Sequence, residues 1–561
     1  VNHKTTDMKN TKYLYILLIT VLLVGSCKQE PIVPEAPVVV TPEPGPAPEK
    51  GSADFTKFIA LGDSYTAGFQ GGALFNDGQS NSVAKIMATQ FAAVGGGAFN
   101  QPDINSVNGF NSSSSTIPTA IRGRLVLFDP DGATDPDGTG CKVSRSPGPR
   151  AAGSPESTST CPSSVTTPAM PAPYNTADLP AAYAGDKATL NNFSVPGTRI
   201  FHTTAAAYGP GNPYYGRFAT APGTSLLLTD AASKQGSFFM LYVGNFDILS
   251  YATAGAVGNP NGTGSVDMTP ESAVFAPSYP PNLNAFLATP NSKGVVGNIP
   301  DITSLPFFFT VLWNNIEFKT TDCNAEATLT QLNGPTGFGG YNAALDGLVA
   351  ASVITADEAA KRKVKYAYGK NGILIADETL ANLTGALSGI NPALGAYGQV
   401  RQATATDLIT LSAGGVLGTC AIPPGATTPS ASYLTGVTAP LSDQFVLLPS
   451  EITEIKTRTA AFNTIIKNAV DASGGRVALA DINAAYAALV TNKAAVVDGV
   501  TITPSFAPPT GIFSEDGLHP NSRGAAYLAN IFISAINAKF GATVAKANLA
   551  NFKGTGLPVN P

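Results

Sequence analysis

Phe55-Thr56-Lys57-Phe58-Ile59-Ala60-Leu61 runs directly into Gly62-Asp63-Ser64-Tyr65. A short apolar run that closes on glycine predicts a buried strand ending in a tight turn, with a serine held on that turn. The chemical counterpart of Ser64 lies far downstream, in Asp516-Gly517-Leu518-His519-Pro520. An aspartate three residues before a histidine supplies an orienting acid and a base, and the distant serine completes the set for acyl transfer. Asp-Gly and His-Pro pairs also favour plain surface turns. Histidine usage narrows the choice, because the chain has three: His3, His202 and His519. Only His519 has an aspartate at short range in a loop bounded by glycine and proline.

Other apolar runs suit a sheet covered on both faces. Leu190 to Val195, Ser237 to Val243, Val295 to Ile299 and Arg476 to Ala480 read as further strands, and near-continuous apolar strands of this length suit parallel pairing. Ile452, Ile455, Phe462, Ile465, Ile466 and Ala469 follow helical spacing, with Ser450 as the expected cap and Gly474-Gly475 as the stop. Asn521 or Ser522 is expected to cap a last helix through Tyr527, Leu528, Ile531, Phe532 and Ile536 to Gly541. His519 thus falls in a loop just before a helix, where α/β folds place catalytic groups. Between these units lie loop-rich stretches, near residues 100–186, 253–293 and 320–440, long enough to be lids or walls over a site. Asp129-Pro130-Asp131-Gly132, echoed by Asp135-Pro136-Asp137-Gly138, reads as a turn-rich loop, since it lacks the spacing and closing glutamate of a calcium loop.

The N-terminal segment carries an address. Lys9 and Lys12 precede an apolar run from Tyr13 to Val24 and then Gly25-Ser26-Cys27, the layout of an export signal and too short for a comfortable membrane span. Val24-Gly25-Ser26-Cys27 resembles a bacterial lipobox, which implies lipidation at Cys27. The signal and its lipobox span residues 1–27; His3 would be removed with residues 1–26, and Cys27 would become the lipidated first residue. Residues 28–50 are rich in proline and read as a tether. Residues 51–545 are expected to form the folded domain and 546–561 a tail. An exported chain meets an oxidising compartment, so Cys141, Cys161, Cys323 and Cys420 can form disulfides; Cys141 with Cys161 is the preferred pair among three connectivities. With 561 residues, 43% apolar and 13% charged, the chain can bury a large core. A net charge of -5 without a dense basic stripe argues against nucleic acid as partner. No Cys-x-x-Cys and few histidines argue against a metal centre, and no cofactor is expected.

Taken together, these motifs resemble those of the GDSL (SGNH) hydrolases, esterases and lipases on a flavodoxin-like three-layer α/β/α sandwich. Ile59-Ala60-Leu61-Gly62-Asp63-Ser64-Tyr65 is similar to the family's first block and implies that Ser64 is the nucleophile and its N–H an oxyanion donor. Asn192-Phe193-Ser194-Val195-Pro196-Gly197 resembles the second, which implies a donor at the Gly197 N–H. Asp516 to Pro520 is a full match to the last block, with Asp516 fixing the His519 ring and His519 moving the Ser64 proton. The third block, Gly-x-Asn-Asp, is met by Gly244-Asn245-Phe246-Asp247, in which Phe246 takes the place of the donating asparagine. A phenylalanine side chain cannot donate, so Asn245 is the substitute donor if the backbone there is irregular. Gly294 to Pro306 and Leu441 to Ala461 resemble a lipidated bacterial subgroup with large insertions. The resemblance implies an envelope-anchored, outer-membrane-type esterase acting on a lipid or an acylated glycan, attached to the membrane by its N-terminal lipid. The alternatives are a weak or inactive ligand-binding lipoprotein, favoured by Phe246, and a polysaccharide deacetylase or acyltransferase with the same triad. Arg199 and Asp481 are expected to be structural.

Overall fold

Four parallel strands form the sheet that carries the site: β1 (Phe58–Gly62), β2 (Phe238–Tyr242), β3 (Lys293–Gly297) and β4 (Val477–Ala480), side by side in that order. The computed structural model describes residues 47–111, 122–130, 147–159, 165–322 and 324–561. Residues from Pro48 onward make one unit. The signal, Cys27, most of the tether, Cys141, Cys161, Cys323 and the Asp131 to Gly138 turn lie outside the described residues. Cys420 is disulfide-bonded.

The helices that position the site are α1 (Ser64–Ala67), α2 (Val83–Phe91), α3 (Phe246–Thr253), α4 (Ala276–Leu287), α5 (Pro449–Asp471) and α6 (Ser522–Phe540). Side chains alternate across the sheet, as the strand period requires. Phe238 meets Phe91 of α2 and Phe540 of α6, and Tyr242 meets Phe532 of α6. One residue out of phase, Phe239 stacks on Phe286 of α4. Helices therefore cover both faces, and β1 and β2 between them are buried end to end.

The expected strand at Leu190 to Val195 is reduced to two isolated parallel bridges, Ala60 to Asn192 and Asn100 to Leu190. Ladder bonds persist on either side: Ala60 N–H donates to Asn191 O (2.8 Å) and Phe193 N–H to Ala60 O (2.7 Å). Asparagine side chains break the regularity, because Asn191 Nδ2 donates to Phe58 O and Asn192 Oδ1 accepts from Ser194 N–H. Counted as the second element in chain order, this segment flanks β1 on the side opposite β2.

Three local expectations change. Ser450 is inside α5 rather than its cap; Pro449 opens the helix and Glu451 Oε2 accepts the Leu448 N–H (2.7 Å). The stretch read as loop-rich at 253–293 holds α4, which covers one face of the sheet. Pro280 and Pro281 disguise it, since proline inside a helix removes a hydrogen bond, and α4 follows a π-helical turn, Glu271–Phe275, that departs from regular spacing. The 320–440 stretch is structured as well. Its helices Ala325–Asn333, Phe338–Ala350 and Ala356–Arg362 pack around Tyr341, Leu345 and Tyr366, a core separate from that of the sheet.

Phe462 of α5 is fully buried and lies parallel to Phe275, with ring centroids 3.7 Å apart. Phe462→Ala is expected to lower stability by about 3–5 kcal/mol, since the lost ring leaves a cavity in the helix layer of α4 and α5. Urea unfolding followed by circular dichroism checks this.

Candidate active site

Gly62 ends β1 where the chain must turn at once into α1. A Cβ there would sit 2.0 Å from Thr66 Oγ1 and 2.7 Å from Tyr242 O, so only glycine fits. Asp63 caps α1, accepting the Tyr65 N–H at 3.0 Å, and Ser64 becomes its first residue. At the other end of the sequence, Asn521 caps α6 by accepting the Gly524 N–H at 3.0 Å. The Asn521 amide also donates to Gly511 O and Phe513 O, which fixes the loop that precedes it. Within that loop Gly517 adopts φ +69°, and a Cβ there would approach Phe307 N to 2.9 Å.

These two termini bring the predicted residues together. His519 Nε2 lies 2.8 Å from Ser64 Oγ, and His519 Nδ1 lies 2.8 Å from Asp516 Oδ2. Asp516 also accepts the N–H groups of Leu518, His519 and Gly72, each at 2.9 Å. Burial works to raise its pKa, but the facing His519 ring and these hydrogen bonds outweigh it and hold the carboxyl below the usual range. An ionised Asp516 accepts from Nδ1–H, which leaves Nε2 free to accept the Ser64 hydroxyl proton. Ser64 is 3% exposed and His519 6%, so the chain of bonds is shielded from water.

The oxyanion side departs from expectation. Asn245 Nδ2 donates to Asp63 Oδ2 at 2.9 Å, and the residue is fully buried. That bond braces the turn before Ser64, so the structure gives Asn245 a different job from the expected donor. Phe246 begins α3, and a Cβ on Gly197 would lie 3.9 Å from its ring, so its side chain borders the Gly197 turn. Among the described residues, no carbonyl or side chain accepts the N–H of Ser64 or of Gly197. Gly197 itself has φ +78°.

His202 is set apart from the triad by its own bonds. Its Nδ1 accepts the Arg199 N–H (3.2 Å), its ring stacks on Tyr208, and burial together with the Arg199 charge pushes its pKa down to about 4. Arg199 donates to Gly264 O, Ser265 O and Ser250 Oγ, and Asp481 caps the helix Ile482–Asn492; both are structural, as expected. Sequence reasoning missed four residues that serve the triad. Ser514 Oγ lies 3.0 Å from Asp516 Oδ1, Gly72 donates to Asp516, Tyr65 Oη donates to Leu518 O, and the Phe69 ring lies 5.0 Å from that of His519. The Gly71-Gly72 pair, a tight turn between two short apolar pieces, was the available signal. Elsewhere, Glu378, Asp443 and Glu451 bring carboxylate oxygens within 4.8 Å of one another. Burial first, then mutual repulsion, pushes Asp443 up to about 6 and Glu451 up to about 8.

No family model matches the chain, and neither a curated protein nor a solved structure matches it at a significant level. Among the described residues no helix is long and apolar enough to cross a membrane.

Asp247 is fully buried, accepts the Ile200 N–H at 2.8 Å, and is pushed up by burial to about 7. Its folded pKa is above its unfolded value, so the folded chain holds an extra proton between pH 3.8 and about 7. The corresponding stability is present in acid and is lost as pH rises through that window. Asp247→Asn is expected to flatten the decline, and chemical unfolding at pH 5 and pH 8 measures it.

Proposed function

We propose that the chain is an exported serine hydrolase that cleaves carboxylic esters through an acyl-enzyme, on a GDSL (SGNH) fold. The observation that carries this reading is the unbroken run from Asp516 through His519 to Ser64, each link 2.8 Å. Ser64 Oγ attacks the ester carbonyl carbon while its proton passes to His519 Nε2. The carbonyl oxygen, now negative, is met by the unpaired N–H groups of Ser64 and Gly197. Collapse of the intermediate breaks the bond to the alcohol oxygen, which takes the proton from His519. Water then repeats the sequence on the acyl-enzyme and releases the acid. The Asn191–Phe193 segment beside β1 supports the flavodoxin-like reading, since it gives the strand order 2-1-3-4-5. The signal and the lipobox resemblance at Cys27 support a lipid-anchored place in a bacterial envelope, with a lipid or an acylated glycan as substrate.

A second reading, slow turnover with ligand binding as the main task, is favoured by one observation. Phe246 stands where a donor is expected, and Asn245 is committed to Asp63. One missing oxyanion donor costs roughly 10²–10³ in kcat.

Hydrolysis of nitrophenyl acetate and butyrate by the chain from Lys50 onward separates the readings. Ser64→Ala is expected to lose at least about 10³ of the rate; equal rates from the two proteins overturn the hydrolase reading. Phe246→Asn is expected to gain roughly 10² in kcat if the missing donor limits the reaction. A loss there removes the oxyanion explanation.

A further inference from the structure

Against the same Gly71 turn and catalytic loop lies a cavity of about 360 Å³. Gln70, Gly71 and Glu515 line its inner side, next to the Gly71 N–H to Ser514 Oγ bond (2.9 Å). Its outer walls come from pieces that the expected fold left as insertion and tail. Leu125 and Leu127, on the strand Leu125–Phe128, and Tyr174 belong to the first insertion, and Lys553 to the C-terminal segment. Val559 N–H donates to Leu127 O (2.9 Å), so the tail is joined to that strand and the cavity has fixed walls.

Arg124 is the feature of this cavity that the fold does not explain. The other described arginines all donate a side-chain hydrogen bond: Arg122, Arg150, Arg199, Arg217, Arg362, Arg401, Arg458, Arg476 and Arg523. Among the described residues the Arg124 guanidinium has no acceptor, and its Nε is buried. It lies over the Phe75 ring at 4.9 Å and 5.9 Å from the Tyr174 centroid. Gln70, 8% exposed, also has a buried Nε2 without an acceptor. Arg124 is half-buried, and a buried N–H left without an acceptor destabilises the fold unless a ligand supplies one. Glu515 does not cancel the cation by an ion pair. Burial pushes its carboxyl up to about 7, against the pull of Arg124, so it is not fully charged near neutral pH.

We propose that this cavity is a binding site for a small organic carboxylate, whose charged end pairs with Arg124 and whose body packs against Phe75, Tyr174 and Leu127. A guanidinium held by two rings presents a planar fork that matches a carboxylate. The rest of the lining sets Leu125, Leu127 and Val559 beside Asp77, Lys553 and Thr555, so it offers apolar contact for a short acyl chain and polar contact for an acidic sugar. The site is separate from Ser64 and does not depend on the hydrolase reading.

Calorimetric titration of the chain from Lys50 onward with hexanoate and with glucuronate tests this, using the Ser64→Ala form so that turnover plays no part. Binding of hexanoate assigns the site to acyl acids, and binding of glucuronate alone assigns it to acidic sugars. The binding acid is expected to lose at least roughly tenfold in affinity with Arg124→Gln, with Arg124→Lys in between. Because Arg124→Gln also removes packing over Phe75, hexanamide and glucuronamide serve as probes of the unaltered cavity. Each is expected to bind at least roughly tenfold more weakly than its acid. No binding of either acid, or equal binding of acid and amide, overturns the proposal.

Discussion

A carboxylate that is 7% exposed must stay charged, and Asp516 is held to that condition by four N–H donors. An unpaired buried carboxylate would take up a proton instead. The His519 ring would then lose the partner that fixes its tautomer. The constraint extends well beyond the site. Two of the donors require the loop to double back through Gly517, one is the His519 ring, and the fourth is Gly72, on the turn between Phe69–Gln70 and Ala73–Leu74. Residues 455 positions apart thus meet because a strand end and a helix cap are fixed on one sheet.

The parts of this arrangement that could be read in advance are those with local causes. All five apolar runs lie beside one another in the structure, four as strands and one as a bridged segment, because burial on both faces leaves a continuous apolar signature. The Asn521 cap and the Gly541 stop were legible for the same reason, since each is a side chain or backbone preference confined to one turn. The pairing of Ser64 with His519 was legible as chemistry and not as geometry. It followed from the scarcity of histidine rather than from any pattern of folding.

What could not be read depends on distant partners. α4 carries two prolines and is held as a helix by packing against Phe239, a contact with no local trace. The second core in the 320–440 stretch is of the same kind. Small and polar residues dilute its pattern, and Tyr341 and Tyr366 are both buried against Phe338. The cavity beside Glu515 needs three remote pieces, one of them the chain's last residues. No window of sequence contains more than one of its walls.

Asn245 and Phe246 show how one substitution redistributes polarity in a closed site. Asp63 is fully buried beside Ser64, and burial pushes its carboxyl up to about 6 while the Asn245 amide pulls the other way. If Asn245 turned from Asp63 toward the oxyanion, Asp63 would lose its side-chain donor, and the turn that aims Ser64 would lose its brace. The adjacent position is occupied by a ring that lies 5.9 Å from the buried Arg199 guanidinium. That ring fills space without supplying a proton. The polarity absent at Phe246 is therefore not recovered one residue earlier, and under the proposed mechanism stabilisation of a negative oxygen would fall to main-chain groups. Main-chain donors at Ser64 and Gly197 are positioned by backbone geometry alone, at Gly62 and Gly197, where neighbouring atoms or a positive φ favour glycine. A site built this way depends on the exactness of two turns more than on the identity of any third side chain.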